Sequence, residues 1–391
     1  MTSRFDRVFR KVAISLIAAM AKVKFSAVKQ VKDMPTDGSL ILCNHTSIWD
    51  FGYLIYSMFP CSHQRFLATA VHFDKSRFIR TVFTHLGMIR KNQGSRDLQS
   101  VKDMLKASRE GGIVVIYPAG MTSFDGRPAW EPLPGIGSMP KLIKSDVYAA
   151  VAHGGFISYP RYAHRCFRGR VEVELKRLYT TEEAASLKPD ELQAGIAKAL
   201  YFNDWDWQEA KRVPFKHMKD MRNVSRTLYM CPACKCEGEM REGKGSLTCK
   251  KCGFSAKRDK YGFFSSSDPT CPARMDRWVD LETEKLKEEL QRDDFALTQE
   301  ATFFLRPQNS VEEFEDLGKG VLTLTKRGLS FKGEKQSVEL GLSDFQFLML
   351  SDTDRLIVNT DQYNYRFVFT DVRLMTKWFF AHRLMAGIDI K

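Results

Sequence analysis

Residues 35 to about 205 alternate between short apolar runs and amphipathic helical patterns, and this alternation limits the fold more than any other feature of the chain. Between the runs, "SRDLQSVKDMLKASREGG" has helical periodicity and is closed by glycines. The runs with the length and composition of buried strands are "SLILC", "RFLATA", "GGIVVIYPAG", "GGFISYPRY" and "VEVEL". Strands that alternate with helices form a sheet covered by helices, so the sequence predicts an α/β domain.

The chain has 391 residues, which leaves room for further domains after this one. From Leu228 to about Phe264 the composition changes to Cys, Gly and Lys/Arg, and a charged helical segment follows. The last ninety or so residues contain short alternating strands and a final amphipathic helix, a pattern typical of a small PH- or GRAM-like β-barrel with a C-terminal helix. The predicted segments are a basic helix (1–34), the α/β domain (35–225), a cysteine-rich module (226–265), a helical linker (266–300) and the PH/GRAM-like domain (301–391).

Positive charge is concentrated in two segments of a chain whose formal net charge is +13. Residues 1–32 contain eight Lys or Arg against one Asp, giving +7, and residues 211–260 contain fourteen against five acids, giving +9. Such segments predict an anionic partner, either a membrane surface or a nucleic acid.

The N-terminal segment is too short to cross a bilayer, because its apolar run "VAISLIAAMA" has ten residues and a spanning helix needs about 20. Its helical pattern places one apolar face between basic residues, formed by Phe5, Phe9, Val12, Leu16 and Met20. The pattern predicts either a helix that lies in the membrane interface or one that packs on its own domain.

His45 and Asp50 lie in "CNHTSIWD", directly after the first apolar run. Loops that follow the strands of an α/β sheet are where such sheets bind ligands. His45 can remove a proton from a hydroxyl while Asp50 fixes its tautomer, so that the substrate hydroxyl is the nucleophile. Asn44 and Ser47 add hydrogen-bonding groups that we expect to contact the substrate. The alternative is that His45 satisfies a strand end and Asp50 caps a helix.

Four sequence blocks resemble those of the glycerolipid acyltransferase family, to which lysophosphatidic acid acyltransferases belong. "NHTSIWD" resembles the first motif, NHxxxxD, and "LGMIRKNQGSRD" resembles the second block. "IYPAGMTSFDGR" resembles the third, usually FPEGTRS, and "GGFISYPRY" resembles the fourth, an apolar strand that ends in proline. The four occur in the family's order, which is much more specific than any one of them.

The resemblance implies transfer of a fatty acyl group from acyl-CoA or acyl-ACP to the hydroxyl of a lysophospholipid such as 1-acyl-glycerol-3-phosphate. It implies a domain with a central mixed sheet and flanking helices, in which His45 is the general base and Asp50 orients it. Arg90 is the predicted ligand of the acceptor phosphate, because a guanidinium grips phosphate oxygens in two places, and Lys91 and Arg96 are the alternatives.

The third block departs from the family at one position. It keeps Gly120 and Ser123, which we expect at the substrate site, but has Ala119 where the family has glutamate. This change removes an expected contact to the acceptor, and Asp125 is the candidate to restore the charge.

Four of the nine cysteines have the spacing of a metal site. Cys231 and Cys234 form one C-x2-C pair, Cys249 and Cys252 form another, and fourteen residues separate the pairs. Such pairs close a tetrahedral thiolate site on Zn²⁺ and leave no coordination position open, so we predict a structural zinc ribbon. The other cysteines are scattered, which suits a reducing cytoplasm.

These features together predict an O-acyltransferase of phospholipid biosynthesis on the cytoplasmic face of a membrane. Its predicted partners are a lysophospholipid acceptor, an acyl thioester donor on CoA or an acyl carrier protein, and an anionic membrane surface. Two alternatives remain open: a thioesterase or other hydrolase with water as acceptor, and a nucleic-acid-binding protein built on the basic ribbon. The ribbon is short of aromatic residues for base stacking, which disfavours the nucleic acid.

Overall fold

The computed structural model describes residues 4–73, 76–92, 97–308, 310, 313–345, 348–351 and 354–387. These residues divide into two compact units. Residues 162–164 and 218–387 belong to the second unit, and the other described residues belong to the first.

The first unit is built on a mixed seven-stranded sheet. Its strands are β1 (Val28–Val31), β2 (Leu40–Cys43), β3 (Gln64–Thr69), β4 (Ile89–Lys91), β5 (Ile113–Ile116), β6 (Val147–His153) and β7 (Glu172–Tyr179). They lie in the order β1-β7-β6-β2-β5-β3-β4. The five strands from β2 to β6 are parallel, whereas β7 is antiparallel to β6 and parallel to β1. The prediction of an α/β domain with a central mixed sheet is therefore confirmed.

Helices cover both faces of this sheet. They are α1 (Arg4–Phe25), α2 (Asp50–Met58), α3 (Ala70–Phe73), α4 (Arg77–Leu86), α5 (Leu98–Arg109), α6 (Met139–Ile143), α7 (Gly155–Ser158), α8 (Thr181–Ser186), α9 (Pro189–Leu200) and α10 (Asp204–Lys211). In β2, Leu40 and Leu42 pack with residues of α5, α6 and α9, while Ile41 and Cys43 pack with residues of α1 and α2. Burial on both faces explains why this strand reads as a continuous apolar run.

Helix α1 packs on its own unit along one side. Ile14, Ala18, Ala21 and Phe25 are buried there. This packing agrees with one of the two predictions made for the N-terminal segment. Within the described part of the chain, no helix is long and apolar enough to cross a membrane.

The fourth block is not a strand, which corrects the prediction made for "GGFISYPRY". The strand lies just before it and ends at His153, and Gly155–Ser158 form the helical turn α7. Gly154 has φ +76°, a conformation that favours glycine. The Asp204 carboxylate accepts hydrogen bonds from the backbone N–H groups of Gly154 and Phe156, both at 2.9 Å. These N–H groups are therefore satisfied without a neighbouring strand.

The second unit begins with a small antiparallel sheet that carries the cysteine pairs. Its strands are β8 (Met240–Glu242), β9 (Ser246–Cys249), β10 (Ser255–Arg258) and β11 (Phe264–Ser265), in the order β11-β10-β9-β8. Helix α11 (Met275–Gln291) follows and packs on this module. The fully buried Trp278 donates its indole N–H to the carbonyl of Met230 at 2.8 Å, and Glu282 accepts from the backbone N–H of Met230 at 2.9 Å.

The remainder of the second unit is a seven-stranded antiparallel sheet with one helix. Its elements are β12 (Ala296–Pro307), β13 (Glu315–Thr325), β14 (Gly328–Gly333), β15 (Ser337–Gly341), β16 (Leu348–Ser351), β17 (Arg355–Asn359), β18 (Tyr363–Phe369) and α12 (Met375–Met385). The strand order is β15-β14-β13-β12-β18-β17-β16, so among the described residues β15 and β16 are the edges of this sheet. A β-rich domain with a C-terminal helix is present, and its assignment as PH- or GRAM-like stays a prediction.

A buried lysine joins the parts of the second unit. Lys377 on α12 is 4% exposed, and its Nζ lies 2.5 Å from a carboxylate oxygen of Glu237 and 2.6 Å from one of Glu289. Glu237 belongs to the cysteine-rich module and Glu289 to α11. The module, α11 and the C-terminal sheet domain therefore form one compact unit, although the sequence predicts three separate segments there.

Candidate functional site

Three of the four blocks meet at one edge of the first sheet. The first follows β2, the third follows β5 and the fourth follows β6, and β2 lies between the other two strands. Because these strands are parallel, their carboxyl ends share an edge, and neighbouring strands are about 4.8 Å apart. The fold thus gathers residues that are more than a hundred positions apart in the chain.

His45 and Asp50 form a hydrogen-bonded pair at this edge. Asp50 is the first residue of α2 and is 4% exposed, and its Oδ2 lies 2.8 Å from Nδ1 of His45. An ionised carboxylate can only accept, so Nδ1 carries the proton and Nε2 is left as an acceptor. The ring centroids of His45 and Tyr117 are 4.6 Å apart, which restrains the imidazole further.

The Asp50 carboxylate is held by the residues just before it. The backbone N–H groups of Thr46 and Ser47 donate to Oδ2 at 2.6 and 3.0 Å, and their hydroxyls donate to Oδ1 at 2.5 and 3.3 Å. Hydrogen bonds of this kind stabilise a buried carboxylate and fix its orientation. The helix-cap alternative for Asp50 is wrong, because the N-cap of α2 is Trp49 and the printed partners of the Asp50 carboxylate are His45, Thr46 and Ser47, which precede the helix.

Two of the predicted substrate contacts hold the first block in place. The side-chain amide of Asn44 donates to the carbonyl of Ala152 and accepts from its N–H, both at 2.8 Å. Ser47 is buried, and besides Asp50 it accepts from the N–H of Trp49 at 3.2 Å. Their contact with a substrate stays a prediction.

The third block is attached to the first through Ser123. The Ser123 N–H donates to the carbonyl of His45 at 3.0 Å, and its hydroxyl, which is fully buried, donates to the carbonyl of Arg127 at 2.6 Å. Gly120, at φ +66°, closes a turn by donating its N–H to the carbonyl of Tyr117 at 2.9 Å. Substrate contact by Gly120 and Ser123 also stays a prediction.

Asp125 lies in the same block and is engaged by a neighbour. Its carboxylate accepts from Nε of Arg127 at 2.8 Å and from the N–H of that residue at 3.0 Å, and both side chains are buried. Asp125 was the candidate to supply the charge of the glutamate that Ala119 lacks, and its carboxylate already forms a buried ion pair with Arg127.

The cations of the second block lie at the far edge of the sheet. Arg90 and Lys91 are on β4, three strand spacings from β2, or about 14 Å. Ile89 packs in the cluster that contains residues of α5, α6 and α9. Because successive side chains along a strand point to opposite faces, Arg90 points to the other face of the sheet, which α1 and α2 cover. Lys91 points to the same face as Ile89. Arg96, the third candidate, lies outside the described residues.

A further arginine stands beside the third block, and the sequence analysis did not select it. Nη1 of Arg161 donates to Oγ1 of Thr122 at 3.3 Å, and its guanidinium carbon is 5.0 Å from the ring centroid of Phe124. The signal was present in the sequence, since Arg161 is part of the fourth block, "GGFISYPRY".

Asp204 is the second residue that the sequence analysis missed. It is fully buried at the start of α10 and binds the backbone of the fourth block, as described above. Burial raises the pKa of Asp204 to about 7; the hydrogen bonds from Gly154 and Phe156 act against this rise, and the negative charge of Asp50 adds to it. No local spacing could have signalled this residue, because its partners are about fifty positions away.

The four predicted metal ligands lie together in the second unit. Sγ of Cys231 is 3.6 Å from Sγ of Cys252, Sγ of Cys234 is 3.8 Å from Sγ of Cys249, and all four sulfurs lie within 4.8 Å of one another. In a tetrahedral site with metal–sulfur bonds of about 2.3 Å, sulfur atoms are about 3.8 Å apart. The spacing of the thiols fits a single tetrahedral metal ion.

The thiols of this cluster differ in acidity, and burial raises the pKa of Cys231 well above its ordinary value. Although burial opposes it, hydrogen bonds from the N–H of Cys236 and from the neighbouring thiols lower the pKa of Cys234 to about 7. A thiolate is the form that ligates metals. The cluster could therefore hold a metal ion.

Comparison with known proteins agrees with the arrangement in the first unit. Residues 23–150 match the family model described as Acyltransferase. Among solved structures, the crystal structure of PlsC, the 1-acyl-sn-glycerophosphate (LPA) acyltransferase of Thermotoga maritima, is similar over 54% of this chain and 84% of that chain, with 16% identity and a TM-score of 0.43. No curated protein matches the chain. The family match confirms the resemblance noted in the sequence for residues 23–150, which include the first three of the four blocks.

Proposed function

We propose that the chain is a membrane-associated O-acyltransferase that moves a fatty acyl group from acyl-CoA or acyl-ACP to the hydroxyl of a lysophospholipid such as 1-acyl-glycerol-3-phosphate. The observation that carries this proposal is the His45–Asp50 pair at the edge of the sheet, with 2.8 Å between Nδ1 and Oδ2. The pair lies in the segment that matches the Acyltransferase family model. Nε2 of His45 takes the proton of the acceptor hydroxyl, whose oxygen attacks the thioester carbonyl. The carbon–sulfur bond breaks, and the proton passes from His45 to the leaving thiolate.

The first test compares His45→Ala with a matched variant of another histidine. His63 is also next to an aspartate, with 3.4 Å between its Nδ1 and Oδ1 of Asp37, but both side chains are more than half exposed. Wild type and His63→Ala should form diacyl product from an acyl thioester and a lysophospholipid. Loss of the general base should lower the kcat of His45→Ala by about a hundredfold or more, measured by mass spectrometry of the lipids.

Two results would contradict the proposal. Formation of free fatty acid in place of diacyl product by the wild type would favour the hydrolase. Equal activity of His45→Ala and the wild type would remove His45 from the mechanism.

Arg161 is proposed to bind the acceptor phosphate, the role that the sequence predicts for Arg90. It contacts Thr122, and the next residue, Ser123, is bonded to the backbone of His45 at 3.0 Å. Arg161 thus follows β6, next to β2, whereas Arg90 lies three strands from β2. A guanidinium suits a phosphate because its N–H groups match two oxygens at once.

We expect Arg161→Ala to raise KM for lysophosphatidic acid by about tenfold or more, because a hydrogen bond to a charged group contributes roughly 1.5–3 kcal/mol. The KM for a monoacylglycerol with the same chain should change little, since it has no phosphate. Arg165→Ala, which changes an exposed arginine of the same segment, is the control. Equal losses with both acceptors would show that Arg161 does not recognise the phosphate.

The proposed location is the cytoplasmic face of a membrane, with α1 in the interface. The side of α1 opposite its buried face carries exposed apolar side chains at intervals of three or four residues: Phe5, Val8, Val12, Leu16, Met20 and Val23. Exposed basic residues flank them, at Arg4, Arg7, Lys11, Lys22 and Lys24. An apolar face between cations is typical of helices that lie on anionic lipid.

Leu16→Glu should weaken binding to phosphatidylserine liposomes by about tenfold or more, since burying a leucine side chain contributes about 1.5–3 kcal/mol. Leu16 is 65% exposed. The matched control is Leu142→Glu, which changes a leucine on α6 that is 48% exposed. Raising the salt concentration should also weaken binding of the wild type. Unchanged sedimentation of Leu16→Glu with liposomes would argue against α1 as the contact.

The basic module is proposed to contribute to the same membrane contact rather than to bind nucleic acid. Two of its aromatic rings lie in its own core, since Tyr229 and Phe254 are 0% and 5% exposed, and Tyr261 is half-buried. Stacking of bases needs exposed rings, whereas anionic lipid headgroups need only positive charge.

Zinc is the proposed occupant of the cysteine cluster, in a structural role. Purified protein should contain about one Zn²⁺ per chain, and a chelator should lower its melting temperature because the ion links two turns of the module. Cys249→Ser should lose the metal, whereas Cys271→Ser, at a half-buried cysteine outside the cluster, should keep it. Full zinc content in Cys249→Ser, measured by mass spectrometry of the metal, would contradict the assignment.

A further inference from the structure

The first residues of α10 form hydrogen bonds to both the third and the fourth block. The backbone N–H of Asp204 donates to the carbonyl of Gly126 at 2.9 Å, and the indole N–H of Trp205 donates to the carbonyl of Asp125 at 2.5 Å. The Asp204 carboxylate accepts from Gly154 and Phe156, both at 2.9 Å. A single buried residue therefore links two loops of the candidate site.

The turn that Asp204 holds lies directly against the catalytic pair. At Gly155, an added Cβ would be 2.1 Å from Oγ1 of Thr46 and 3.5 Å from Oδ1 of Asp50. Only glycine fits this close approach without moving Thr46. The hydroxyl of Thr46 donates to Oδ1 of Asp50 at 2.5 Å, and Oδ2 of Asp50 lies 2.8 Å from His45.

We propose that Asp204 is a positioning residue for the acyl transfer: by fixing the Gly154–Phe156 turn against Thr46, it sets the orientation of Asp50 and, through it, of His45. This inference rests on the proposed function of the same site. The contacts run without a break from Asp204 through the turn to Thr46, Asp50 and Nδ1 of His45. Each step is a hydrogen bond or a close packing contact, and every residue in it except the partly exposed His45 is buried.

The burial of Asp204 supports a role beyond holding a loop. A carboxylate with no exposed surface costs free energy unless several groups stabilise it, and here backbone N–H groups do so. A second buried carboxylate, that of Asp50, is close enough to influence it electrostatically. An amide at position 204 would retain the size of the side chain, but its NH2 group donates only, so one of the two backbone N–H groups would face a donor and lose its acceptor.

The test measures kinetics and the His45 hydrogen bond in Asp204→Asn, with Asp206→Asn as control because Asp206 is an exposed aspartate of the same helix. Asp204→Asn should lower kcat for diacyl formation by at least about tenfold and leave both KM values within about twofold. Asp206→Asn should resemble the wild type. Asp204→Asn combined with Thr46→Val should lose no more activity than the worse single variant, because both act on Asp50.

A proton NMR measurement gives a readout that does not need turnover. The His45 Nδ1–H bonded to Asp50 should give a downfield resonance, identified by its loss in His45→Ala, that moves or broadens in Asp204→Asn and stays in place in Asp206→Asn. Wild type that forms no diacyl product but shows this pattern would refute the proposed function and leave the positioning role standing.

The inference is wrong if folded Asp204→Asn keeps both the wild-type kcat and the wild-type resonance. It is also wrong if the fold-losses of kcat in Asp204→Asn and Thr46→Val multiply in the double variant. Should Asp204→Asn not fold, Gly155→Ala disturbs the same contact with Thr46 and should give the same fall in kcat and the same change in the resonance. An unchanged kcat in Gly155→Ala would equally overturn it.

Discussion

The Asp50 carboxylate is the group on which the candidate site depends. It accepts two backbone N–H groups and two hydroxyls from Thr46 and Ser47, begins α2, and binds His45. These contacts leave it one orientation, and that orientation sets the tautomer of His45. The strand order then brings the third and fourth blocks beside it, since β2 lies between β5 and β6. The geometry of the pair is thus a property of the whole sheet rather than of the first block alone.

Much of this arrangement was accessible from the sequence, because its signals are local. The strand "LILC", helix α5 and the cysteine pairs are each specified by residues within a few positions of one another. The His45–Asp50 pair belongs to the same class, since five positions separate its members at a strand-to-helix turn. The structure adds what Asn44, Ser47 and Ser123 do: their hydrogen bonds hold the loops of the site together.

The features that the sequence could not provide depend on distant partners. The fourth block reads as a strand because Phe156 and Ile157 are apolar and buried, and a short apolar run looks the same in a strand and in a buried turn. What decides between them is the carboxylate of Asp204, about fifty residues away. Strand β12 likewise begins at Ala296, within the segment predicted as a linker, because pairing with β13 and β18 determines its extent.

The central claim is that the acceptor hydroxyl, deprotonated by His45, attacks the acyl thioester directly, without an acyl-enzyme intermediate. The most direct test measures the release of free thiol from the acyl thioester in a rapid-mixing experiment, once with a lysophospholipid present and once without it. Thiol release is expected to require the acceptor and to show no initial burst in its absence. A burst equal to the enzyme concentration would show a covalent intermediate, and steady thiol release without acceptor would show a hydrolase. Either result would contradict direct transfer to the acceptor hydroxyl.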